Sequence, residues 1–207
     1  APETVVSFRP GYLEYPRQLP QALVASAYRI SSSMTANRAL THLPFQLNRN
    51  REASQELAVF EVPVTVEDES RPEMGRRVGD AIALARRIAR YGGSFVVLTH
   101  PNVLGHKFEF HKTFIAALDD WAWFGSLSDF GNWWAARNAV EVDVLCAETA
   151  CTIRLDASQA VHDLTLELPQ HCRYQDDPGS GVAVRRSESG LVLERIHGEV
   201  SLRCLRQ

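Results

Sequence analysis

Residues 92–137 read GGSFVVLTHPNVLGHKFEFHKTFIAALDDWAWFGSLSDFGNWWAAR, and the punctuation of this stretch decides the fold class. After Gly92-Gly93, the run Ser94–Thr99 is apolar, rich in β-branched and aromatic residues, and too short for a helix. It predicts a buried strand. His100-Pro101 ends that strand, because proline lacks the N–H that a central ladder requires. An ionisable side chain is thereby delivered to the carboxyl end of a buried strand, where α/β folds place their chemistry. His100 is thus a candidate site residue; the other reading is a core or capping histidine satisfied by a backbone carbonyl. A helix follows over about His106–Asp119, with Phe110, Phe114, Ile115 and Leu118 turned inward. Ala122–Gly125 predicts a short strand. Ser126 or Ser128 then caps a helix through Arg137, with Phe130, Trp133 and Trp134 inside.

Upstream, the same alternation recurs. Thr4–Phe8 predicts a strand that empties into Arg9-Pro10-Gly11-Tyr12. Proline and glycine fix such a loop, and arginine can grip a carboxylate through two parallel hydrogen bonds; an ordinary turn with a surface arginine is the plainer reading. Leu19–Tyr28 reads as a helix with Pro20 in its first turn, and Arg29–Ser33 as the next strand end. Met34–Arg51 is irregular, with His42 inside it as a cleft or structural histidine. Leu57–Val66 predicts a strand whose Pro63 marks an edge or bulge. After the charged turn Glu67–Arg71, Pro72–Tyr91 predicts a helix with Val78, Ile82, Ala85 and Ile88 or Ala89 on one stripe and Gly92 as its C-cap. Its arginines read as a solvated face, with a polyanion site as the alternative reading. Strands alternating with helices imply a parallel sheet with helical crossovers.

From Val140 the pattern changes. VEVDVL, CTIRLDA, LTLELP, VAVRR, LVLERI and EVSLRCL are short alternating runs separated by turns at 176–181 and 187–190. They predict a small antiparallel β module, so the chain divides into residues 1–138 and 139–207. The four cysteines, Cys146, Cys151, Cys172 and Cys204, all lie in this part. No CxxC pair occurs, which argues against a zinc ribbon or a thioredoxin-like site. Cys146 and Cys151 could face each other across a hairpin as a disulfide. Buried free thiols are the slightly preferred reading.

A chain of 207 residues with 45% apolar composition supports one ordinary domain with a small appendage. Its net charge of -3 argues against a general nucleic-acid binder. Lysine occurs only at Lys107 and Lys112, a compositional bias. No apolar run has membrane-spanning length, and the first residues lack the layout of a signal peptide. The compartment is left open, a periplasmic or extracellular one included. His106 and His111, five residues apart, have the wrong spacing for a zinc pair on one helical face.

Several segments, in this order, resemble the polysaccharide deacetylases of the NodB-homology, or carbohydrate esterase, type. Arg9-Pro10-Gly11-Tyr12 resembles that family's Arg-Pro-x-Tyr segment. Ala27–Ser33 is similar to its Gly-Tyr-Arg-x-Asp-Ser-Ser strand end, and Val59–Val66 to its strand carrying Val-Pro-Val-Thr. Val97-Leu98-Thr99-His100 resembles its Leu-x-His motif, and Trp123–Arg137 its last strand and Trp-Trp-containing helix. The resemblance covers roughly residues 5–140 and implies the carboxyl-terminal part of a distorted (β/α) barrel. It implies hydrolysis of N- or O-acetyl groups on a polysaccharide or oligosaccharide with a divalent metal, commonly zinc. His100 would protonate the leaving amine, a role that suits imidazole because it titrates near neutral pH. Arg9 would orient the base aspartate, and the Tyr12 N–H would help bind the oxyanion.

The departures are as telling. The family's aspartate pair and His-x-x-x-His metal ligands precede the Arg-Pro segment and have no counterpart here, so no motif of this chain binds the metal. The strand-end aspartate that tunes the acid corresponds to Ser31. The expectation is therefore a portion of a hydrolase completed by an amino-terminal segment or a partner chain. The alternatives are a catalytically silent glycan- or partner-binding domain and a hydrolase of small non-peptide amides.

Overall fold

The computed structural model describes residues 5–52, 55–102, 105–176, 181–187 and 190–206. Thr4 of the first expected strand, 177–180 of one expected turn and 188–189 of another lie outside them. Two compact units are present, residues 1–131 and 132–207. The division falls within the helix Leu127–Asn138 (α5), where the sequence had placed it at 138.

The first unit opens with β1 (Ser7–Phe8), α1 (Leu19–Ala25), β2 (Ile30–Ser31) and the short α2 (Ala36–Ala39). Then come β3 (Phe45–Asn48), β4 (Glu56–Glu61), β5 (Val64–Glu67), α3 (Val78–Ala89), β6 (Val96–Leu98) and α4 (Gly105–Ala116). Strands β1, β2 and β4 are parallel, and β3 closes that sheet antiparallel to β4, giving the order β1-β2-β4-β3. β5 and β6 form a separate parallel pair.

This arrangement corrects the barrel expected from the resemblance. Among the described residues no closed barrel is seen, and the strands form three separate sheets in a mixed α/β structure. The reason is local. β4 already has β2 on one side and β3 on the other, so β5 has no edge of β4 to join. Pro63, lacking an N–H, sits where the expected strand Leu57–Val66 breaks into β4 and β5. β3 itself falls in the segment expected to be irregular.

The strand expected at Ala122–Gly125 does not form. The Trp123 ring folds back on its own chain, so close to Gly125 that a Cβ there would meet ring carbons at 2.2 Å. Trp123 remains 63% exposed, with no ladder partner. α3 and α4 pack Ala81, Ala85, Phe110, Phe114 and Leu118 into one apolar cluster against Val66 and Val97 of β5 and β6. Of the expected stripe of α3, Ala85 and Ile88 are buried and Val78 and Ile82 half-buried, with Ala81 buried beside them. A second cluster joins Leu19 and Leu23 to Leu47 and Val59.

The second unit is antiparallel, as the alternating runs predict, but its strands are longer and fewer. They are β7 (Glu141–Cys146), β8 (Ala150–Leu166), β9 (Cys172–Tyr174), β10 (Val184–Ser187) and β11 (Gly190–Arg206). The sheet order is β10-β11-β8-β7, with β9 pairing the far end of β11 on the side away from β8. CTIRLDA and LTLELP lie within or overlap β8, and LVLERI and EVSLRCL are both in β11. Asp163 shows why they looked separate: its φ of 50° is left-handed, and Val161 and Leu164 on either side both point inward. Leu193 and Ile196 do the same on the facing strand. A change of in-out parity mid-strand reads, in sequence, like the end of one strand and the start of another.

Candidate functional site

Parallel strands carry their carboxyl ends to one side of a sheet, and the expected residues Arg9 and His100 follow such ends together with residues that sequence reasoning had not named. Arg9 follows β1, Ser32 and Ser33 follow β2, Glu61 ends β4, Asp68 follows β5 and Thr99-His100 follow β6. The hydrogen bonds gather these residues into two groups.

The first group surrounds Asp68, a buried carboxylate. Its Oδ1 lies 2.9 Å from His100 Nδ1. Its Oδ2 accepts the main-chain N–H of His100 at 2.9 Å and is ion-paired with Lys107 Nζ. Lys107, equally buried, also donates to the carbonyl of His100 at 3.1 Å and to the carbonyl and side-chain oxygens of Asn102, both at 2.9 Å. Burial alone would push the Asp68 pKa up. Hydrogen bonds from Lys107 and from the main chain and ring of His100, with the Lys107 charge, outweigh it and hold the carboxyl well below its ordinary range. An ionised Asp68 can only accept, so His100 donates from Nδ1, and Nε2 is left without a hydrogen-bond partner among the described residues. The His100 side chain is 49% exposed, while that of Asp68 is 1% exposed. The ring is therefore fixed on its inner edge and open on its outer one. Next to it, Thr99 Oγ1 lies 2.9 Å from His111 Nε2.

The resemblance placed the aspartate that tunes the acid at the position of Ser31. The carboxylate beside His100 is instead Asp68, which follows the neighbouring strand β5. Ser31 instead bonds Ser33, with their hydroxyls 2.7 Å apart and both residues fully buried.

The second group joins Arg9, Ser32 and Glu61. Arg9 donates from Nε to the Ser32 carbonyl at 3.1 Å and from Nη2 to the Ser32 hydroxyl at 2.8 Å. It orients no aspartate among the described residues. Glu61 is fully buried; its Oε1 accepts the N–H groups of Ser33 and Met34 at 2.7 and 2.8 Å, while Oε2 accepts no hydrogen bond of good geometry among the described residues. Burial raises the Glu61 pKa against the opposing pull of the Ser31 hydroxyl, the two N–H groups and the Arg9 charge. Burial likewise lowers that of Arg9, with Glu61 opposing. Tyr12 sits in the left-handed region at φ 56° with its side chain 97% exposed, and its N–H makes no hydrogen bond among the described residues. His42 is structural: its carbonyl accepts from the N–H and hydroxyl of Ser94, and its Nδ1 lies 3.4 Å from Thr65 Oγ1.

The divalent metal implied by the resemblance does not fit this unit. Both oxygens of Asp68 are engaged by His100 and Lys107, and Glu61 faces Ser33, Met34 and Arg9. Among the described residues, only Cys151, Cys172 and Cys204, all in the second unit, converge in a way that could hold a metal ion. Their sulfurs lie within 4.8 Å of one another. Cys146 and Cys151 are joined as a disulfide, which corrects the preference for four free thiols; Cys172 and Cys204 are free.

Asp68 and Lys107 were not singled out from sequence, yet both carry a signal. Lys107 lies on the same helical stripe as Phe110, Phe114 and Leu118, so a buried and therefore partnered lysine follows from the 3.6-residue period. Asp68 lies two residues beyond Val66, on the same inward parity after the irregularity between Val64 and Val66. Glu61 likewise continues that of Val59, a buried position in the preceding strand.

No protein-family model matches this chain, and neither a curated protein nor a solved structure does. No described helix is long and apolar enough to cross a membrane.

Proposed function

We propose that this chain supplies the proton-transfer part of a hydrolytic site that removes acetyl groups from an N- or O-acetylated glycan. The observation that supports this reading is the Asp68–His100 pair at adjacent strand ends, with Nδ1 of the imidazole held and Nε2 open. In hydrolysis of an acetamide, water adds to the carbonyl carbon, and the C–N bond then breaks as the leaving nitrogen takes a proton. His100 Nε2 takes the proton that the attacking water releases and passes it to the leaving nitrogen, while Asp68 keeps the ring oriented and stabilises the imidazolium formed between the two transfers. Tyr12 N–H, unengaged and on the loop after β1, is the proposed oxyanion donor. Arg9 holds that loop to the Ser32 segment. No step is routed through a metal, because the described donors of this unit do not converge on a metal site. That same donor set is the observation favouring the second reading, a catalytically silent domain that binds glycan or a partner.

The experiment is acetate release from acetylated glucosamine oligomers, with small cyclic amides in parallel, by the native polypeptide containing this sequence. His100→Ala should abolish release, and Asp68→Asn should lower kcat while leaving KM nearly unchanged. Oligomer binding without acetate release would select the silent reading. Turnover of the cyclic amides alone would replace glycan by small-molecule chemistry. Neither binding nor release would overturn both glycan readings.

A further inference from the structure

The four cysteines are dispersed in sequence but not in the sheet. Cys146 on β7 stands directly opposite Cys151 on β8, and Cys151 stands directly opposite Cys204 on β11. Directly opposed residues on adjacent strands project to the same face. On the far side of β11, Cys172 of β9 pairs with Arg206, two residues from Cys204 and hence on that face too. The result is a row of sulfurs across four adjacent strands. Cys172 Sγ lies 3.5 Å from Cys151 Sγ, and those two together with Cys204 Sγ fall within 4.8 Å of one another. Cys146 is bonded to Cys151. Four sulfurs about 2.3 Å from a common zinc ion stand about 3.8 Å from each other. The sulfurs of Cys151, Cys172 and Cys204 already approximate that spacing, and the bonded Cys146 sulfur adjoins them.

We propose that Cys146, Cys151, Cys172 and Cys204 form a redox-gated tetrathiolate site for a thiophilic divalent cation of the zinc type. With the Cys146–Cys151 disulfide formed, two of the four ligands are withheld and the site is closed. A dithiol reductant opens it: the reductant loses two electrons and two protons to become a disulfide, and the Cys146–Cys151 bond breaks to give two thiols. Binding M²⁺ to the four thiols then releases their four protons and leaves four metal–sulfur bonds. The resulting site carries a net charge of 2−. Arg206, whose guanidinium donates to the Ala147 carbonyl at 3.3 Å, brings positive charge to the turn between the first two ligands. Thiolates select this class of ion over hard cations such as magnesium or calcium. The absence of a CxxC motif is no obstacle, because cross-strand register supplies the proximity that sequence spacing supplies in a zinc ribbon.

The test is titration of the full chain with Co²⁺ as the spectroscopic probe, before and after reduction with a phosphine. The reduced protein should take up one equivalent with the intense visible bands of tetrahedral sulfur coordination, bleached by one equivalent of Zn²⁺. The oxidised protein should show none. Cys172→Ala and Cys204→Ala should each lose the spectrum, with circular dichroism establishing that the β module persists. Cys146→Ser should weaken and shift it. Absence of the bands in the reduced protein, equal binding by the oxidised protein, or an unchanged spectrum in Cys146→Ser would each overturn the proposal.

Discussion

Lys107 and Asp68 form a buried ion pair, and the Asp68 oxygen that Lys107 contacts is the same one that accepts the His100 N–H. One lysine therefore neutralises the carboxylate that holds His100 and, through the His100 and Asn102 carbonyls, ties the first turn of α4 to the end of β6.

Replacing Lys107 by alanine leaves a buried carboxylate without its cation, a change that costs about 3–5 kcal/mol. Urea unfolding of Lys107→Ala should show a loss of this size. A loss below about 1 kcal/mol, the range of an exposed pair, would show that water reaches Asp68 and that the pair is not what anchors the site.

Asp68 also fixes the acid limit of stability. Its folded pKa lies below the ordinary 3.8, so its contribution is fully present above pH 3.8 and is lost as pH falls through the folded value. Thermal midpoints should drop on acidification below pH 3.8, and Asp68→Asn should flatten that limb while lowering stability at neutral pH. An acid limb of equal steepness in the variant would assign the transition to other carboxylates.

Glu61 acts with the opposite sign. Burial raises its folded pKa above the ordinary 4.5, so the folded state binds more protons and stability falls as pH rises from 4.5 to the folded value. Glu61→Gln keeps an oxygen to accept from Ser33 and Met34 and puts an amide where Oε2 accepts no hydrogen bond of good geometry among the described residues. The variant should match the native protein in acid and exceed it at neutral pH. A difference that stays constant between about pH 4 and pH 8 would refute the assignment.

Gly131 marks a close approach of α5 to β2. A Cβ there would fall 2.3 Å from Ile30 Cδ1 and 2.4 Å from its Cγ1, and Ile30 is 1% exposed. Gly131→Ala should therefore destabilise by about 1–3 kcal/mol, as overpacking does, even though alanine is the better helix former. Chemical denaturation measures it; a stabilised variant would mean that Ile30 has room to turn away.

What the sequence carried was periodicity. The stripe of α3, the run before His100 and the alternation after Val140 each correspond to an element observed, because burial on one face writes itself into residue order. The closure of strands into a barrel is not written there. It depends on whether β4 keeps a free edge, and β3, built from the unremarkable FQLN, takes that edge. Asp68 was hidden in a charged turn and Lys107 in a composition count, since a buried charge looks like a surface one until its parity or helical phase is followed. The cysteine row was out of reach for a different reason: register between strands dozens of residues apart leaves no spacing to read.

That register also sets an order of events during folding. The β8–β11 ribbon joins Leu166 to Leu191 across 25 residues at one end and Ala150 to Leu205 across 55 at the other. Closing the shorter loop costs less entropy, so the ribbon zips from Leu166 and Leu191 towards Cys151 and Cys204. Cys146 and Cys151, five residues apart, can meet at any stage, whereas Cys204 reaches them last. Pulsed alkylation during refolding should accordingly find Cys204 among the last thiols to gain protection. Protection of Cys204 ahead of the Leu166–Leu191 end would reverse that order. A sulfur cluster assembled at the far end of the ribbon thus reports that its last rungs have formed.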